Sequence, residues 1–173
     1  SVFQELSASP TSIITANSNL AYGCIPGNKT TQADAIRAYV QSELKAKLPT
    51  WVEIPKELWP EHWHGVYTRP CCLLKKSLYG HPESGAHWEN HLTAAVQNAG
   101  GVAVENHPST FWFESERLLL SVYVDDLLLS GPSDAPANFW QRLRTGSHKV
   151  ALEDPEPLDR FLGRSHVELT FHS

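Results

Sequence analysis

The chain has no methionine, only three cysteines, and fewer basic than acidic residues, so it lacks the positive balance common in proteins that grip nucleic acid. Each absence narrows the choice. Cys24 stands apart from the adjacent pair Cys71 and Cys72, an odd set that does not build a disulfide framework, and reduced thiols are expected. His62 and His64 add zinc-ligand types near that pair, but the spacing fits no closed four-ligand pattern. No stretch approaches the roughly 18 apolar residues of a membrane span, and Ser1 to Pro10 lack the charged start and apolar centre of a signal peptide. A soluble, intracellular protein with no membrane partner is expected. The missing methionine, the start at Ser1 and the end at His172-Ser173 suggest a segment excised from a longer chain.

What is present is enough for one core. A length of 173 residues with 41% hydrophobic content favours a single domain over residues 1–173. Fourteen basic against nineteen acidic side chains give a formal charge of -5, which opposes tight binding of a polyanion.

The pattern along the chain is mixed. Around Ser9-Pro10-Thr11-Ser12, an N-cap serine and a proline at the first helical position announce a helix, with Ile13, Ile14, Leu20 and Ala21 on one side and Gly23 as its stop. Residues 31–40 are ambiguous between strand and helix. Between Pro49 and Pro70, prolines and Trp51, Trp59 and Trp63 mark a loop-rich excursion with a short strand at Trp51-Ile54, and a second strand runs from Cys71 to Leu74. From Ser84, the positions Trp88, Leu92, Ala95, Val96 and Ala99 recur at helical spacing before Gly100-Gly101. Short strands at 102–104 and 110–113 precede two apolar runs, 118–124 and 127–129, that flank Asp125-Asp126 as a hairpin. A helix beginning near Ser133-Asp134 with Phe139, Trp140 and Leu143 inward, then strands near 149–152 and 166–171, complete the chain. The order strand, helix, hairpin, helix, strand is that of a split βαβ unit: an α+β fold, ferredoxin-like, with an antiparallel sheet and helices on one face.

Two adjacent carboxylates between apolar strands repel each other beside low-dielectric surroundings. Aspartate is also an ordinary turn residue, which is the bland explanation. A divalent cation would remove the conflict, because hard cations take carboxylate oxygens together with substrate phosphates.

The sequence around the pair favours the second explanation. Tyr123-Val124-Asp125-Asp126, between Leu118-Leu119-Leu120-Ser121-Val122 and Leu127-Leu128-Leu129-Ser130-Gly131, resembles the catalytic hairpin of reverse transcriptases, most closely those of copia-type (Ty1/copia) retrotransposons. Leu74-Lys75-Lys76-Ser77-Leu78-Tyr79-Gly80, with Ser84 and Trp88, is similar to that family's segment before the palm helix. Asn106-His107-Pro108-Ser109-Thr110-Phe111 and Phe161-Leu162-Gly163 match later palm motifs, and the block from Gln32 to Val40 resembles the first catalytic motif. The likeness spans roughly residues 9 to 169.

The resemblance implies an RNA-directed DNA polymerase that adds deoxynucleotides to a primer 3′-hydroxyl by two-metal phosphoryl transfer, using Mg²⁺ or Mn²⁺. Asp34 and Asp125 would bridge the metal ions, with Asp126 a weaker ligand. Tyr39 would lie beneath the incoming sugar, and Tyr79, Gly80, Ser84 and Tyr123 near nucleotide and template. For Tyr39 the plain alternative is a half-buried core tyrosine, and for Gly80 and Ser84 a turn and a helix cap. Lys75 and Lys76 could meet phosphates, although a lysine pair leaving a strand more often faces solvent. Implied partners are an RNA or DNA template-primer, deoxynucleoside triphosphates, and the integrase and RNase H domains of a polyprotein. The implied location is the cytoplasm, inside a virus-like particle, or the nucleus.

The departures matter as well. The family's basic fingertip strand, its thumb and its RNase H domain fall outside this chain, leaving a palm with partial fingers, residues 41–83 forming the fingers-like excursion. Gly85 stands where the family usually has proline. A catalytically inactive palm remnant that binds nucleic acid or serves a structural role is the competing expectation. A nucleotidyl cyclase on a similar sheet is disfavoured because its Gly-Gly-Asp/Glu-Glu-Phe signature is absent.

Overall fold

The computed structural model describes residues 9–167 and 169. Helix α1 (Ile13–Gly23) begins at Ser12, whose hydroxyl accepts from the Thr15 backbone N–H. Its buried side is Thr15, Ala16 and Asn19, whereas Ile13 and Ile14 are 52% and 77% exposed, so the expected apolar side of this helix is corrected. Small side chains let the helix lie close to the sheet. A Cβ on Gly23 would fall 1.9 Å from Thr30 Oγ1, and the Asn19 amide donates to Ser121 Oγ (2.9 Å), Leu119 O (3.1 Å) and Leu128 O (3.2 Å).

The ambiguous stretch divides. Strand β1 (Asn28–Asp34) is followed by a short helix α2 (Ala38–Gln41), which starts after Arg37 at φ +50°. The excursion holds strands β2 (Trp51–Glu53) and β3 (Cys71–Leu73), which pair with each other in a separate two-stranded sheet, and two 3₁₀ turns between them. Helix α3 (Ser84–Asn98) buries Trp88, Leu92, Ala95 and Val96, the spacing that marked it in the sequence.

Strands β4 (Val102–Ala103), β5 (Thr110–Phe113), β6 (Leu118–Tyr123) and β7 (Asp126–Pro132) follow, then helix α4 (Pro136–Thr145) and strand β8 (Glu156–Pro157). The six-stranded sheet runs β4-β5-β6-β7-β1-β8, with every neighbouring pair antiparallel. This is a mixed α+β architecture with an antiparallel sheet. Strands β9 (Arg160–Phe161) and β10 (Arg164–Ser165) form a small hairpin.

Period-two alternation divides the sheet. Ala33, Leu118, Leu120, Val122, Leu127 and Leu129 point to one side and pack with Trp88, Leu92 and Val96 of α3 and Phe139, Trp140 and Leu143 of α4. Leu128, on the other side, packs with Ala16 of α1 and with Phe161. Helices therefore cover both faces, correcting the expectation of helices on one face only. The longer apolar run of β7 buries leucines on both sides, which is why strict alternation of polar and apolar residues was missing there.

Two other expectations change. Residues 149–152 supply only a single bridge, Leu152 to Ala35, and β8 takes the edge position beyond them. The expected strand at 166–171 has no strand at His166 or Val167; Glu168 and Thr170 to Phe171 lie outside the described residues.

Phe139 is fully buried with its ring centroid 4.8 Å from that of Phe113. Phe139→Ala should lower unfolding free energy by about 3–5 kcal/mol. Ile14→Ala should leave it within about 0.5 kcal/mol. Urea denaturation of both variants checks the contrast, and equal losses would contradict the described helix orientation.

Candidate active site

One end of a ladder brings the acidic residues together. In the antiparallel register between β1 and β7, Asp34 is the direct partner of Asp126, and Asp126 is also the partner of Tyr123 across β6 and β7. Directly paired residues project to the same face. Asp34, Asp126 and Tyr123 therefore share one end of the α1 side of the sheet, beyond the part that Asn19 and Ala16 cover, and Tyr123 is 39% exposed.

Val124 and Asp125 form the two-residue turn between β6 and β7. Val124 has φ +58°, an unusual conformation for a β-branched residue and a local store of strain. Two hydrogen bonds hold it. The Trp88 indole N–H donates to Val124 O at 2.7 Å, and the Ala35 N–H donates to Asp125 O at 2.8 Å. Helix α3 and the end of β1 thus position the same turn. Trp88 was legible as a core residue; its indole bond was not, because only the fold brings residue 124 to it.

The electrostatics record the crowding. Asp126 is pushed up from 3.8 to about 6, by burial first and then by Asp34 and Asp125. Asp34 is raised as well, by burial and then by Glu153, Asp125 and Glu156. Among the described residues no Lys or Arg forms an ion pair with any of the three aspartates. Glu153 and Glu156 were not singled out in the sequence. Pairing of β8 with β1 and the Glu153 N–H to Asp34 O bond of 2.9 Å bring them there, and neither contact has a local sequence signal.

No protein-family model matches this sequence. The chemistry of the site accordingly rests on its own residues.

The expected substrate residues are distributed unevenly. Tyr39 and Tyr79 meet with ring centroids 4.5 Å apart, and the Tyr39 hydroxyl is raised by burial, then by Tyr79 and Asp125. Gly80 has φ +90° with open space where a Cβ would be, a backbone conformation that suits glycine and leaves room for a ligand. Ser84 is buried; its hydroxyl accepts from Leu78 N–H (2.9 Å) and donates to Leu78 O (2.8 Å), so it fastens the 78–84 turn to the start of α3.

Among the described residues no group of three His, Cys, Asp or Glu side chains is gathered as a ready metal cage, at the aspartates or at His62, His64, Cys71 and Cys72. The donor set still suits Mg²⁺, which takes one or two protein carboxylates and completes its shell with water and substrate phosphates. Like-charged Asp34 and Asp126, without a basic partner, are the groups whose repulsion such an ion would relieve.

Because the folded-state value of Asp126 lies above its unfolded value, the native protein keeps a proton that the unfolded chain releases. Its stabilising contribution is complete below pH 3.8 and declines as pH rises through about 6. Asp126→Asn, which mimics the protonated form, should lack this decline. Its melting temperature relative to the parent should climb between those two pH values and level off above them; parallel curves would contradict the assignment. Trp88→Phe should separately cost about 1–3 kcal/mol by leaving Val124 O unpaired, measured by denaturant unfolding.

Proposed function

We propose that this chain is the palm and partial fingers of a copia-type reverse transcriptase, an RNA-directed DNA polymerase. The observation that carries the reading is the register setting Asp34 opposite Asp126 at the end of the sheet, with Asp125 in the adjoining turn.

The chain path supports it. The order β6-β7-β1-β8, with α3 between β1 and β6 and α4 between β7 and β8, matches a ferredoxin-like split βαβ unit, and β4 and β5 extend it. The separate β2–β3 hairpin corresponds to the fingers-like excursion of residues 41–83. Tyr39 and Tyr79 offer an aromatic surface for the sugar of a deoxynucleoside triphosphate, and Gly80 gives it close backbone approach. Exposed Tyr123 lies on the open side of the turn, where a template-primer would pass.

Asp34, Asp125 and Asp126 would hold Mg²⁺ or Mn²⁺, which when bound would activate the primer 3′-hydroxyl and stabilise charge on the leaving pyrophosphate. The chain's own part is positional. The strained turn fixes Asp125 and Asp126, the ladder fixes Asp34, and the tyrosine pair orients the sugar. Integrase and RNase H domains in a common polyprotein, and residence in the cytoplasm, a virus-like particle or the nucleus, belong to the same proposal.

Primer extension on RNA and DNA templates with Mg²⁺ tests it. Asp34→Asn and Asp125→Asn should reduce extension at least about a hundredfold, as expected when several kcal/mol of transition-state stabilisation is lost. Asp126→Asn should have a smaller effect if Asp125 is the stronger ligand, and Tyr39→Val should raise ribonucleotide incorporation relative to deoxynucleotide. Template binding that persists while neither Asp34→Asn nor Asp125→Asn alters extension or metal affinity would replace this reading with the inactive-palm alternative.

A further inference from the structure

Away from the aspartates, a cleft of ≈ 510 Å³ opens between the end of α2, the middle of α3, the end of α4 and residues 147–151. Its walls carry His91, Arg144, His148 and Lys149, together with Gln41 and Ser147, and none of its lining residues is acidic. In a chain of net charge -5, Arg144 and Lys149 place two positive charges here beside two imidazoles.

Several of these groups lack partners. His91 Nε2 and Arg144 Nε are buried and have no hydrogen-bond partner among the described residues. Lys149 and His148 are exposed and form no ion pair among those residues. The terminal nitrogens of Arg144 are engaged, donating to Asp154 Oδ1 (2.9 Å), Leu152 O (3.1 Å) and Glu153 O, which leaves Nε toward the cleft; the Asp154 side chain is 98% exposed and lines a neighbouring cleft, not this one. Lys76 stands at the rim, donating to Gln41 O at 3.1 Å.

The positive potential is felt inside. His91 is lowered by burial first, then by Lys76, with His148 adding to the effect and a hydrogen bond to the Lys149 backbone opposing it. The nitrogens left over, Arg144 Nε and His91 Nε2 with the exposed Lys149 ammonium, suit a multivalent anion. Phosphate oxygens accept from several directions at once, which suits donors arriving from α3, α4 and the 147–149 segment.

We propose that this cleft is a binding site for phosphate groups, contacted by His91, Arg144, His148 and Lys149, with Lys76 at the rim. The phosphate comes either from a free polyphosphate or from a nucleic-acid backbone. The site stands independently of the polymerase reading. It also has a structural route to the aspartates: Gln41 bonds to both the N–H and the carbonyl of Ala151, and two residues later Glu153 N–H bonds to Asp34 O.

NMR spectra of the His91 and His148 rings, recorded during titration with inorganic phosphate, pyrophosphate or an oligodeoxythymidine, test the site, with chloride at matched ionic strength as the control. Saturable shifts of both rings at a Kd of about 1 mM or tighter are expected. Lys149→Glu, a surface change, should weaken binding at least about tenfold through loss and reversal of a phosphate-contacting charge. Saturation by phosphate or pyrophosphate alone identifies a free anion as sufficient, whereas a response confined to the oligonucleotide assigns the backbone. The proposal is overturned if no phosphate probe moves the rings beyond the chloride control, or if folded Lys149→Glu binds as tightly as the parent. His91→Gln is a second variant, its folding checked by circular dichroism, and it should also lose affinity.

Discussion

The antiparallel ladder between β1 and β7 is the contact on which the molecule depends. Its seven residue pairs run from Asn28 with Pro132 to Asp34 with Asp126, and they join segments about a hundred residues apart. Pairing over that separation carries a loop-closure cost, which apolar burial on both faces offsets. Ala33, Leu127 and Leu129 meet α3 and α4, while Leu128 meets α1. The same ladder that organises the core also forces two carboxylates into register, so stability and the candidate chemistry share one element.

That arrangement opposes itself. Burial and like charge raise both Asp34 and Asp126, and no basic side chain among the described residues offsets them by an ion pair. The backbone nearby is also under strain, since Val124 occupies a positive φ. Trp88 and Ala35 hold the turn through Val124 O and Asp125 O, two contacts from different elements on consecutive carbonyls. Local cost maintained by surrounding packing is characteristic of sites where geometry serves a ligand.

The two faces of the sheet are built differently. On the α3 and α4 side, large aromatic and aliphatic groups such as Trp88, Phe113 and Phe139 fill the space between layers. On the α1 side, Ala16, Asn19 and Gly23 permit close approach, and hydrogen bonds from Asn19 tie the helix to three positions on β6 and β7. The segment entering that helix reaches β6, where the Thr11 N–H donates to Val122 O at 2.9 Å.

The sequence carries plain signals for the elements that depend on near neighbours: the helical recurrence of Trp88, Leu92, Ala95 and Val96, the apolar runs around Asp125-Asp126, and the inward set Phe139, Trp140 and Leu143. It also marked Asp34, Asp125, Asp126, Tyr39 and Tyr79 as candidates, through resemblance rather than periodicity. It misjudged the buried side of α1, because Thr15 and Asn19 are polar in isolation and become buried only where the His107 ring and the Ser12 hydroxyl meet Thr15 and the Asn19 amide donates to sheet carbonyls and Ser121. Tertiary structure alone decided that helices cover both faces, that Asp126 lies across from Asp34, and that Glu153 and Glu156 approach Asp34. Those facts depend on strand register and on partners distant in the chain, and register is set by the simultaneous burial of both faces rather than by any short run of residues.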